Sequence, residues 1–147
     1  MNSSDVIESI LVSCEKYEEV EPGDIYGHES ILYLFGDNVV RKGSRGQDVI
    51  RHAENSIGII TKRRPSESED AYLMDSDLDL TSQLILSDIL KARELLQNGT
   101  YDYISIPVGG LGTGAANLKE RSPETFDFLS YAIYQFFGFV NPGWTIR

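Results

Sequence analysis

Apolar and polar positions divide this chain into alternating helical and extended segments. Val6, Ile7, Ile10, Leu11, Cys14 and Tyr17 recur at helical spacing, with Ser4 and Asp5 able to cap the start. That pattern predicts an amphipathic helix over residues 4–19. A turn at Pro22-Gly23 ends it. Ile31 to Phe35 is apolar at every position, as expected of a central strand covered on both faces, and it ends at Gly36-Asp37-Asn38. A short helix-compatible piece covers Gln47 to His52, and Ile57–Thr61 and Ala71–Met74 read as two further strands. Ile85, Ile89, Ala92 and Leu96 share one face of a helix over Ser82–Gln97, which Asn98-Gly99 terminates. The apolar run from Tyr103 ends at Pro107. The last helix spans Pro123–Phe137, with Ser122 as its cap, Pro123 as its first residue and Phe126, Leu129, Ile133, Phe136 and Phe137 on its buried face. Gly138 stops it, and Trp144-Thr145-Ile146 reads as an edge strand. This alternation predicts one α/β domain over residues 1–147: an N-terminal helix (1–19) and a core (20–147), with a mixed central sheet in a three-layer α/β/α arrangement.

The strand ending at Pro107 opens into the glycine-richest stretch of the chain. Gly109, Gly110, Gly112 and Gly114 fall within six residues, and the last helix begins soon after. Such a loop can cradle phosphate with its N–H groups. It can equally be a tight turn that needs glycine for its backbone alone. Polar residues after a buried strand, here Asp37 and Asn38, occupy the place where open α/β sheets bind ligands.

Composition narrows the function classes. The 147 residues carry 41% hydrophobic and 24% charged side chains, as in an ordinary globular domain. The formal net charge of −10 argues against a surface that wraps DNA or RNA. Seven of the 13 basic residues nevertheless cluster: Arg41, Lys42, Arg45, Arg51, Lys62, Arg63 and Arg64. They read either as a local patch for a small anion or as a solvated loop cluster. No apolar stretch reaches membrane-spanning length, and the N-terminus lacks the pattern of a secretory signal. The single cysteine, Cys14, suits a reducing cytoplasm, and its place on the apolar face of the first helix points to packing. One cysteine and two histidines give no metal-ligand spacing, and His52 reads as a surface residue. Asp75, Asp77 and Asp79 lack the glycine and final glutamate of a calcium loop and are read as a polar loop before a helix.

The order of three segments resembles that of macrodomains, the ADP-ribose-binding α/β family. Gly23-Asp24-Ile25 precedes a strand ending in Asn38, a glycine-containing loop follows at Gly43 to Gly46, and Gly112-Thr113-Gly114 comes late. The resemblance covers Val20 to Phe137, and the Phe35-Gly36-Asp37-Asn38 form is closer to divergent bacterial and phage members. It implies that Asp24 accepts a hydrogen bond from the adenine amino group while the backbone at Ile25 fixes the base. It further implies that Asn38 holds the distal ribose. The loops Gly43–Gly46, with Arg45, and Gly110–Gly114, with Leu111 and Thr113, would enclose the diphosphate, with Arg45 or Lys62 as charge partners. No cofactor is implied. The chain departs from the family in three places. Ser44 and Arg45 interrupt the first glycine run, Ala116 stands where relatives carry an aromatic residue or an aspartate, and the catalytic lysine has no counterpart.

Three functions stay open at this level. One is a module that binds an ADP-ribose-type nucleotide. The second is a hydrolase that removes ADP-ribose from a modified protein or nucleic acid, with Asn38 or Asp37 positioning water. The third is a protein-interaction module on the same fold. Oligomeric state is not set by the sequence.

Overall fold

The computed structural model describes the backbone of residues 14–17 and, in full, residues 29–43 and 50–146. Among these, four strands form one sheet: β1 (Cys14–Tyr17), β2 (Ile31–Asn38), β3 (Ser56–Lys62) and β4 (Tyr103–Pro107), in the order β1-β4-β2-β3. Helices α1 (Leu78–Gln97), α2 (Leu118–Arg121) and α3 (Pro123–Phe137) complete the mixed α/β fold. No helix among the described residues is long and apolar enough to cross a membrane.

All three ladders are parallel, so the sheet lacks the mixed pairing expected from the sequence; the antiparallel contact present is an isolated bridge between Lys62 and Tyr72. Parallel pairing explains why β2 is apolar from Ile31 to Phe35 and β4 carries one polar residue, Ser105, since both faces must be covered. Leu32 and Leu34 point to one face and join Ile85 and Ile89 of α1 with Phe126, Leu129, Ile133 and Phe137 of α3 in the larger core. Tyr33 and Phe35 point to the other face and pack against Ile50 and Ala53.

Three expected elements differ. Cys14–Tyr17 pairs with Ile104–Pro107 as a strand and not as the end of a helix, because an open edge of β4 supplies backbone partners that outweigh a local helical pattern. The rest of that predicted helix, and the turn at Pro22-Gly23, lie outside the described residues. Ala71 to Met74 is no strand either. Turns of 3-10 helix at Glu69–Ala71 and Asp75–Asp77 flank it; Ala71, Tyr72 and Leu73 are buried by packing while Met74 is exposed, and Tyr72 contacts both Lys62 Nζ, 4.6 Å from the ring centre, and the Arg121 guanidinium at 4.1 Å. Trp144 turns back onto α3 in place of an edge strand. Its indole packs on Tyr131 and Tyr134, and its Nε1–H donates to Asp127 Oδ1 at 3.0 Å.

Both long helices form where the apolar stripes put them, with α1 starting a turn early. The cap of α3 is supplied at a distance. Ser122 occupies the N-cap position, but Asp75 Oδ1 accepts both the Ser122 hydroxyl (2.9 Å) and the Glu124 N–H (3.0 Å). Asp75 and Asp77 thus serve the fold, Asp77 by pairing with Arg63. Gly138 ends α3 at φ +72°.

Candidate functional site

Because every ladder is parallel, the C-terminal ends of β2, β3 and β4 lie along one edge of the sheet. The loops after β2 and after β4 therefore rise side by side from adjacent strands. That is where open parallel sheets bind ligands. Of the residues singled out from sequence, Asp37, Asn38, Gly43 and Gly110 to Gly114 are brought to this edge. Asp24, Ile25, Arg45 and Gly46 lie outside the described residues.

The loop after β2 is held by charge. Asp37, buried at the end of β2, accepts from Arg41 Nη1 on Oδ2 (3.1 Å) and from the Asn38 N–H on Oδ1 (2.8 Å), and Arg51 Nη2 also donates to Oδ1. Space for that carboxylate comes from Gly58 on β3, where a Cβ would lie 2.3 Å from Asp37 Oδ2. Arg41 reaches further and donates to Asp88 Oδ1 at 2.7 Å. Three hydrogen bonds donated by its guanidinium hold Arg41 at φ +55°, a conformation unfavourable to a residue with a Cβ. Asn38 closes the turn from within: its Nδ2 donates to Lys42 O at 2.7 Å, and its carbonyl accepts from the Arg41 N–H at 3.0 Å. Arg51 also donates to Gly43 O, which ties the far end of the turn to the same network.

Burial pushes the Asp88 carboxyl above its ordinary value, although Arg41 and the Ile60 N–H pull the other way. For Arg41 burial is the largest influence and lowers its pKa, yet the two carboxylates together leave it raised. Asp77 is held below the usual carboxylate range by its hydrogen bond from Arg63.

Ion pairs within the chain take up much of the basic cluster. Arg41 and Arg51 converge on Asp37, Arg63 pairs with Asp77 and Arg64 with Asp70. Lys62, expected as a charge partner for the diphosphate, donates to Ser66 O at 2.6 Å and lies over Tyr72. Most of the described cluster is thus neutralised within the chain. His52 is exposed, as read.

The loop after β4 is held without charge. Asn141 acts toward it as a strand would: Oδ1 accepts the Leu111 N–H and Nδ2 donates to Leu111 O, both at 2.9 Å, and Nδ2 also donates to Ser130 Oγ. Gly110 is required here. Its φ is +86°, and a Cβ would lie 2.2 Å from Asn141 Oδ1. The Gly110 N–H donates to Pro107 O at 2.8 Å. Two of the amides expected to face a ligand, Gly110 and Leu111, are therefore engaged in shaping the loop. Beyond them the pattern changes. Among the described residues no hydrogen bond reaches the N–H of Gly112, Thr113, Gly114, Ala115 or Ala116, and residues 113–115 are exposed. Bonding resumes at Asn117 and Leu118, whose N–H groups donate to Gly114 O and Gly112 O.

A family model matches residues 16–132, a span that contains both loops and all but the last turn of α3. The chain belongs to the family of unknown function DUF7831. No curated protein and no solved structure matches it.

Sequence reasoning missed Arg51, Asp88, Gly58 and Asn141 as residues that build this edge. Two left a signal: Asp88 falls within the buried stripe Ile85, Ile89, Ala92, and Gly58 interrupts an otherwise apolar strand. Asn141 reads as an ordinary turn residue in Asn-Pro-Gly, and nothing local marks it.

Proposed function

We propose that this protein binds an ADP-ribose-type nucleotide at the C-terminal edge of its sheet, between the loops after β2 and β4. The observation that carries the reading is the run of N–H groups from Gly112 to Ala116 without hydrogen bonds among the described residues. They lie on a rigidly anchored loop beside β2. Successive unengaged backbone amides form a concavity suited to phosphate oxygens. In this reading the fold is a three-layer macrodomain-like domain acting in the cytoplasm. Asp24 and Ile25 hold adenine, Asn38 the distal ribose, and the Gly43–Gly46 loop with Arg45 closes over the diphosphate. Gly110 and Leu111 shape the late loop, and Gly112, Thr113 and Gly114 supply its donors. Binding is favoured over hydrolysis because both Asp37 oxygens already accept hydrogen bonds within the fold, two of them from guanidinium groups.

Calorimetric titration with ADP-ribose, with AMP and NAD as controls, tests the proposal. Saturable binding with a dissociation constant on the order of micromolar is expected, lost in Asp24→Ala. Gly114→Val should weaken it as well, since a Cβ at Gly114 meets nothing within 4 Å in the folded protein but intrudes on a bound phosphate. A folded wild-type sample that gives no heat with ADP-ribose overturns the reading.

A further inference from the structure

Among the described residues no strand pairs with the outer side of β3, which carries only the isolated bridge of Lys62 to Tyr72 at its C-terminal end. Its pairing with β2 fixes which backbone groups face outward. The Tyr33 N–H donates to Asn55 O (2.8 Å), and Tyr33 is level with Ser56, Phe35 with Gly58 and Asp37 with Ile60. In a parallel ladder alternate residues turn both N–H and C=O to the neighbouring strand. Asn55, Ile57 and Ile59 therefore face β2, while Ser56, Gly58 and Ile60 turn theirs outward. A row of outward groups is a template for pairing with another chain. The segment invites it: Ser56-Ile57-Gly58-Ile59-Ile60-Thr61-Lys62 is rich in β-branched residues, with its one charge at the end.

Two side chains occupy two of those outward groups, the Gly58 carbonyl and the Ile60 N–H. Arg41 Nη1 donates to Gly58 O at 3.1 Å, and the Ile60 N–H donates to Asp88 Oδ2 at 3.2 Å. Arg41 Nη2 donates to Asp88 Oδ1 at 2.7 Å, which closes the arrangement. A donor and an acceptor thus lie along β3 where the backbone of a further strand would present its own. They come from separate elements, the turn after β2 and helix α1.

We infer that the Arg41–Asp88 pair stands in for a missing neighbour strand and prevents β3 from pairing with β3 of a second copy of this chain. The edge is self-complementary: antiparallel pairing about Gly58 sets Ile60 of one copy opposite Ser56 of the other. Gly58 at the centre adds no side chain to separate them. This inference is independent of what the loops bind.

The test is the full-length double variant Arg41→Ala/Asp88→Ala, followed by sedimentation velocity and amide hydrogen exchange over a wide concentration range. The expected result is a concentration-dependent dimer or larger species that the wild type does not form at the same concentration. Protection at the Gly58 and Ile60 amides should rise with it. A folded double variant that sediments like the wild type throughout, with exchange at Gly58 and Ile60 independent of concentration, overturns the inference. Should circular dichroism show the double variant unfolded, Arg41→Ala alone decides by the same two readouts. That change makes the protein more acidic, so association cannot be ascribed to lost charge repulsion.

Discussion

The loops after β2 and β4 leave neighbouring strands at the same edge and are fixed by opposite means. After β2 the chain is tied by ionised groups: Asp37 receives Arg41 and Arg51, and Arg41 continues to Asp88. After β4 a neutral amide, Asn141, pairs with both backbone groups of Leu111, and glycine supplies the conformations and clearance. Among the described residues the turn after β2 is tied down by its own side chains, while the loop after β4 is anchored at its base and leaves the amides of its tip unengaged. A loop held by one amide clamp keeps its base in place and still presents donors, which is why the proposal takes its phosphate-binding amides from the second.

Breaking the charged loop should cost most. Asp37→Ala leaves the largely buried Arg51 side chain without its carboxylate, and removing one partner of a buried pair typically costs about 3–5 kcal/mol. Urea unfolding would measure it, and a loss below about 1 kcal/mol would show that the network contributes little net stability. Next comes the neutral clamp. Asn141→Leu strands the Leu111 N–H and C=O, for an expected loss of about 2–3 kcal/mol by the same measurement.

A pH series sharpens the contrast by sign. The folded-state pKa of Asp88 is raised, so its contribution is fully present below the ordinary aspartate value and is lost as pH rises through the folded value. The stability of the wild type relative to Asp88→Asn should therefore fall as pH rises above the ordinary aspartate value of about 3.9. Asp77 is lowered by Arg63, so its contribution is present above the ordinary value and lost as pH falls through the folded value. Relative to Asp77→Asn the wild type should gain stability as pH rises toward the ordinary aspartate value and stay level above it. Two slopes of one sign would contradict the assignment. The smallest effect is expected at the tip of the second loop, where Gly114→Val should change stability by no more than about 0.5 kcal/mol because the added side chain meets open space.

The two long helices and three of the strands were legible because their signals are local, whereas the single turn of α2 (Leu118–Arg121) was not expected. The stripe from Ile85 to Ala92 and the aromatic face of α3 have the helical period, and Ile31 to Phe35 and Tyr103 to Pro107 are apolar enough to be central strands. What failed depended on distant partners. Cys14–Tyr17 is a strand because β4 lies beside it, and Tyr72 is buried by Lys62 and Arg121 without a ladder. At the site the positions of Asp37, Asn38 and the glycines could be read, but their partners could not. Nothing near Asp37 in the sequence announces that Gly58 clears a space for it or that Arg51 closes on it. Nothing near Gly110 announces Asn141, which is 30 residues from Leu111.

The most direct test of the central claim is residue-resolved amide exchange of the wild-type protein with and without saturating ADP-ribose. The account predicts slowed exchange from Gly112 to Ala116 on addition of ligand, with little change at Gly110 and Leu111, whose N–H groups are already bonded within the fold. Exchange from Gly112 to Ala116 that is unaltered by ADP-ribose would contradict it.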